Sequence, residues 1–288
     1  MELPCHDKEH SEDGAGDSKM VQGGRDDSRV TAVSWTKMKP PSGVEMPNGA
    51  INAQPTKDGG ILICAQGQRG GAPGGIYLTS AAGIRPIITN FHGRPFNSPN
   101  DVVVDKAGGI WFTDPSYGFD QGFKLSPQLP EQVYRYDPKT GDIRCVADGF
   151  GRPNGICFNK EEAVCYITDT STSRGKETDD PRLPATIYAF DIIHPHGQPQ
   201  LVNRRVFAFV SPGFPDGIKT DTKGNVYSGC GDGVQVWNAG GVLIGKISTG
   251  DWVANFCFGV EGEMFICNET KVWRVQLGRK VKGALLGL

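Results

Sequence analysis

Asn48, Asn100, Asn154, Asp216 and Asn255 stand at corresponding places in five short segments of this chain: MPNGAI, SPNDVVV, RPNGICF, FPDGIKT and VANFCF. They are spaced by 52, 54, 62 and 39 residues, the differences between successive positions. In each segment an amide or carboxylate residue is followed closely by β-branched or aromatic residues. Side-chain oxygens of this kind are ligands for hard cations, and calcium takes about six to eight of them. If the five residues begin equivalent strands around one axis, their oxygens converge at one end of a channel and outline a cation site. Asp216 is the one carboxylate among them, so it carries the charge of such a site and is also its candidate proton acceptor. Taken singly, a PNG or PDG is a common turn; the repetition is what points to a shared centre.

Those residues need strands to position them. The spacing suits one four-stranded blade per repeat, with the first strand of each blade at the centre of a propeller. The segments DVVVDKAGGIWFTD, GIKTDTKGNVYSGCGDGVQVWN and FCFGVEGEMFICNETKVWRV each read as apolar run, tight turn, apolar run, the pattern of β-hairpins. GGIYLTS, QVYRYDPKTGDIRCVA and TIYAFDII supply outer strands, with DPKTGD as a turn. Gly and Pro interrupt every window that could form an ordinary amphipathic helix. An all-β chain is expected, and its 40 glycines serve many tight turns.

A formal net charge of −2 offers no basic footprint for nucleic acid or an anionic membrane. No apolar stretch approaches bilayer length and the N-terminus lacks the apolar core of a signal peptide, so a cytoplasmic protein is expected. The eight cysteines show no zinc spacing and read as small buried hydrophobes in a reducing compartment. Residues 1–28 are polar, acidic and glycine-rich and are expected to be a disordered tail, leaving 29–288 as one propeller domain. The charged stretch 169–186 reads as a loop shaping a mouth or lid.

From residue 44 onward, NFHGRPFNSPNDVV, DPSYG, GRPNGICF, FPDGIKTDTKGNVYSGCGDGV and NETKVWRVQL resemble the gluconolactonase and regucalcin family of metal-dependent lactonases, particularly its fungal lactonohydrolase branch. The resemblance implies a six-bladed β-propeller of four-stranded antiparallel blades, with a divalent cation in the central channel, usually calcium and sometimes zinc. It also implies a first-blade glutamate, Asn154 and Asp216 as metal ligands, with Asn100 touching substrate or metal. The family's glutamate sits in a motif of Glu, a small residue and Pro. Nothing before Val44 matches it, and Glu2, Glu9 and Glu12 lie in the polar tail. The first blade is therefore expected to be incomplete, either because the form is shortened or because it has diverged. The closing segment EMFICNETKVWRVQL is then expected to lack a strand partner or to be paired only by residues 30–35, with some tendency to self-associate.

The expected function is hydrolysis of small lactones, in which a bound cation polarises the carbonyl and positions the attacking water and Asp216 shares in activating that water. A catalytically impaired or binding propeller is the alternative that the missing glutamate favours. A metal-free propeller resembling strictosidine synthase is opposed by the Asn154 and Asp216 pair. Four residues are candidates for touching substrate. Asn100 leads; His92 either orients the lactone and shuttles a proton or is structural; Asp114 either supports the site from behind or caps a turn; Tyr117 lines the mouth or packs. GxSxG is absent, so no serine nucleophile is expected.

Overall fold

The computed structural model describes residues 42–52, 59–173 and 180–286, all within one compact unit, Pro40–Leu288. The expected tail at 1–28 and the expected closing strand at 30–35 lie outside the described residues. The first sheet contains β1 (Pro47–Asn52), β2 (Ile61–Ala65), β3 (Gly75–Ser80) and β4 (Gly83–Ile88). A small hairpin follows, β5 (Asn90–Phe91) with β6 (Arg94–Pro95). The second sheet contains β7 (Val102–Val104), β8 (Ile110–Asp114), β9 (Gln132–Tyr136) and β10 (Ile143–Ala147), with a single helical turn α1 (Tyr117–Asp120) after β8. The third contains β11 (Pro153–Phe158), β12 (Val164–Asp169), β13 (Thr186–Ile193) and β14 (Gln200–Phe209). The fourth contains β15 (Ile218–Thr220), β16 (Val226–Cys230), β17 (Gly233–Trp237) and β18 (Leu243–Ser248). The fifth contains β19 (Asn255–Phe258), β20 (Glu263–Asn268) and β21 (Lys271–Gln276).

Each of these is an antiparallel meander, strand following strand outward, and together they make a β-propeller. Alternate residues along a strand serve opposite faces, and here both faces of an inner sheet are covered. In the second sheet Val102, Val104, Ile110, Phe112 and Tyr134 pack with Leu62, Cys64, Ile76 and Leu78 of the first. Val103, Trp111 and Val133 pack instead with Ile156, Phe158, Cys165 and Ile167 of the third. The same division continues, Tyr166 and Ile187 meeting Ile218 and Trp237, and Val234 and Val236 meeting Phe258, Met264 and Ile266. This is why the strands read as unbroken apolar runs such as VVV and IWF. Burying a side chain such as Phe112, fully enclosed here, contributes about 1.5–3 kcal/mol over leaving it exposed.

The count of blades differs from the six that the resemblance implied. Four sheets of four strands and one of three stand among the described residues. Innermost strands touch in the order β1, β7, β11, β15, β19, while β19 and β1 make no comparable contact. The described sheets thus form an arc of five. The physical reason is material: a six-bladed ring needs about 24 strands, and residues 42–286 hold the 4 × 4 + 3 = 19 blade strands just given. β21 has no strand on its outer side among the described residues.

Candidate active site

The five anchor residues meet. Asn48, Asn100, Asn154, Asp216 and Asn255 all line one cavity of about 380 Å³. Local backbone features explain the convergence. The β1–β2 register shifts between Pro47 and Ala50, and the β11–β12 register between Pro153 and Ile156. Each bulge spans an anchor, and a bulge re-aims the side chain that it carries. The glycine after an anchor makes room for the next blade. A Cβ on Gly155 would stand 2.5 Å from the Asp216 carbonyl oxygen, and one on Gly217 would stand 2.3 Å from Asn255 Oδ1. Glycine at these places is a packing requirement, with no positive φ involved.

In the second and third sheets a Thr–Asp pair at the end of the second strand ties the next anchor down. Thr113 Oγ1 donates to the Asn154 carbonyl at 2.6 Å, and Thr168 Oγ1 donates to the Asp216 carbonyl at 2.9 Å. Each threonine thus fixes the anchor of the following blade. The adjoining aspartates hold loops of their own blade. Asp114 accepts from the Asn97 and Ser98 amides at 2.9 and 2.7 Å, and Asp169 accepts from the Gly151 and Arg152 amides at 3.1 and 3.0 Å.

Asn154 is buried, and its Nδ2 donates to the Tyr117 hydroxyl at 3.2 Å, which also bonds Thr170 Oγ1. With the amide nitrogen engaged, Oδ1 is the end left for a ligand. Asp216 is half-buried, one side open to the cavity and the rest enclosed by protein. Desolvation pushes its carboxyl up to about 7, the Asp101 carboxylate pushes the same way, and hydrogen bonding to the Trp252 and Asn154 side chains opposes them. Asp101 itself is stapled: its Oδ2 accepts from the Ile156 amide at 3.2 Å and stands 3.6 Å from Lys219 Nζ, which also reaches Asn255 Oδ1 at 3.4 Å. Asp216 therefore sits beside the Asn154 amide with the Asp101 and Glu269 carboxylates nearby, and burial and those charges alike favour its protonated form.

Of the residues read as touching substrate, Asn100 and Tyr117 line the cavity. His92 and Asp114 do not. His92 occupies the exposed turn of the β5–β6 hairpin, its ring 4.4 Å from that of Phe91; NFHGRP forms a small hairpin of its own, which turns the imidazole to the surface. Asp114 is fully buried behind β7, where it caps the backbone leading to Asn100. The sequence reading missed Arg152, Asp120, Trp252 and Glu269, which also line the cavity. Arg152 directly precedes the PNG of the third repeat, the one signal that pointed to it. The described cysteines are all free, and no described helix is long and apolar enough to cross a membrane.

Comparison with known proteins agrees with this architecture. The profile of the SMP-30/Gluconolactonase/LRE-like region matches residues 25–269. A lactonohydrolase from Aspergillus oryzae is 33% identical over 210 residues, which are 67% of this chain and 47% of that protein. A gluconolactonase from Zymomonas mobilis is 30% identical over 199 residues, 66% of this chain and 53% of its own. This chain spans about half the length of these curated relatives. Among solved structures, a gluconolactonase from Xanthomonas campestris superposes with a TM-score of 0.66 at 30% identity, covering 82% of this chain and 72% of that one.

Proposed function

This chain belongs to the SMP-30/Gluconolactonase/LRE-like family, and on that premise we propose that it hydrolyses small lactones with the help of a divalent cation. The observation that carries the reading is the convergence of Asn100, Asn154 and Asp216 on one cavity. The residues fit a cation: Asn100, Asn154 and Asp216 carry side-chain oxygens and line the same cavity, and a cation would offset the negative charge that Asp101 and Glu269 add around Asp216. Asp216, Asn154 and Asn100 would hold it. Oxygen-only donors select a hard ion, which makes calcium the assignment and zinc the ion to be distinguished from it. When bound, the cation supplies Lewis-acid polarisation of the lactone carbonyl.

The side chains do the rest. Asp216 takes a proton from water as the water oxygen bonds to the carbonyl carbon. As the bond from that carbon to the ring oxygen breaks, the same carboxyl returns the proton to the departing oxygen, giving a hydroxy acid. Asn100 and the Tyr117–Asn154 pair fix the ring against the floor of the cavity. The test is hydrolysis of D-glucono-δ-lactone followed by pH-stat. Chelation is expected to abolish turnover and calcium to restore it. Asp216→Asn is expected to cost on the order of 10²-fold or more in kcat, and Asn100→Ala less. An Asp216→Asn enzyme with near wild-type rate would remove Asp216 from the chemistry.

A further inference from the structure

Among the described residues, three acids line the cavity that gathers the anchors, Asp120, Asp216 and Glu269, and Arg152 is the one basic residue with them. Arg152 Nη2 meets Asp120 Oδ2 at 3.0 Å, so those two charges cancel. Asp216 and Glu269 make no ion pair among the described residues. Two unpaired carboxyls on one cavity match the charge of a divalent cation. They are near enough to interact, since the Glu269 charge is among those that disfavour ionisation of Asp216.

Glu269 stands at this place at a local cost. Asn268 at the end of β20 pairs with Lys271 at the start of β21, so Glu269 and Thr270 are the two-residue loop of the hairpin. Glu269 has φ 41°, a left-handed conformation that such a loop ordinarily gives to Gly, Asn or Asp. Asn268 holds the tip against the cavity wall: its Nδ2 donates to the Trp252 carbonyl at 2.7 Å and to Thr249 Oγ1 at 3.0 Å, and Trp252 lines the same cavity. Glu269 is exposed and yet part of that lining, which puts it at the rim. Calcium takes about six to eight oxygens, and its affinity follows the charge of its ligands; Asn100, Asn154 and Asp216 bring one charge among three side chains. Resting on the cation reading above, we propose that Glu269 is a further ligand of the cation, closing over it from the mouth of the cavity and supplying the second negative charge. Calcium binding then depends on the β20–β21 turn, on which none of the anchors lies.

Calorimetric titration with calcium compares the wild-type chain with three variants. Glu269→Gln keeps the shape and removes the charge, and Glu269→Gly suits the turn and removes the side chain. Glu261→Gln alters another exposed acid at positive φ, just before β20, that does not line the cavity. Both Glu269 variants are expected to raise the calcium Kd at least tenfold, and Glu261→Gln to leave it unchanged. In chelator Glu269→Gly is expected to melt no lower than wild type, because glycine adopts the left-handed turn without strain, and to lose most of the rise in melting temperature that calcium gives wild type. Weak binding together with a lowered melting temperature in chelator would mark Glu269 as structural and overturn the assignment. So would wild-type affinity in Glu269→Gln; if Asp216→Asn still binds calcium weakly, the cation reading survives that result. A wild-type chain that binds no calcium at millimolar concentration overturns both.

Discussion

The Tyr117 hydroxyl links three elements, joining α1 to Thr170 after β12 and to Asn154 on β11. Burial holds its phenol far above the ordinary tyrosine range, and the nearby Asp216 carboxylate adds to this, so the group stays neutral and acts only through hydrogen bonds. Tyr117→Phe keeps the ring and removes those bonds. Losing them is expected to cost about 1 kcal/mol of stability and, by freeing the Asn154 amide to rotate, to weaken calcium binding several-fold. Isothermal titration with calcium checks this, and unchanged affinity would show that Asn154 is held by packing alone. The anchors were legible because each stands in the first residues of an inner strand or just before it and so recurs at blade spacing. Trp252 and Glu269 were not, because their approach depends on how loops of different blades fold over one another, which no local pattern encodes.

At the level of elements, the Thr–Asp pairs and the glycines carry the geometry. Gly155→Ala places a methyl 2.5 Å from the Asp216 carbonyl oxygen, so β11 and β15 must separate. Overpacking of this kind costs about 1–3 kcal/mol, and calcium affinity should fall with the melting temperature. The pairs themselves could be seen in WFTDPS and YITDTS, but their donor and acceptor roles could not, since Thr113 and Thr168 bond across a blade boundary. Carboxyls buried in this way also give the fold a pH dependence. Burial pushes Asp114 up to about 7, opposed by the amides it accepts from, and burial does the same to Glu131, opposed by the Ser116 hydrogen bond. The folded chain then holds protons that the unfolded chain, with carboxyls near their ordinary values of about 4, has released. Their contribution to stability is therefore full at acid pH, declines as pH rises through about 7 and is flat above. Melting in chelator should show that decline, with Glu131→Gln flattening part of it; a melting temperature that climbs steadily from pH 5 to 8 would contradict the assignment.

At the scale of the molecule, the arc of five described sheets ends on β21. β21 pairs with β20 in full register, Glu263 opposite Gln276 through Asn268 opposite Lys271, yet its other edge meets no strand among the described residues. The blade number implied by the resemblance was carried over from relatives of which this chain spans about half, and the chain's own repeat did not fix it. The exposed side of this sheet is partly apolar. Register places Phe265 opposite Cys257 and Val272 opposite Cys267; Val272 is 64% exposed and Phe265 36%, and both cysteines are exposed. Proteins blunt such edges with charge or proline, and Lys271 and Arg274 on β21 do so only in part. We expect the chain to self-associate through β21, its apparent mass rising with concentration in sedimentation. Val272→Lys adds a charge at the edge without touching the cavity, and should shift the equilibrium toward monomer by several-fold or more while leaving the melting temperature of the dilute protein nearly unchanged. Because hydrogen bonding along the edge would be the main attraction, added salt should weaken the association little. A chain that stays monomeric into the high micromolar range, or a Val272→Lys variant that associates as the parent does, would mean that this edge is already covered.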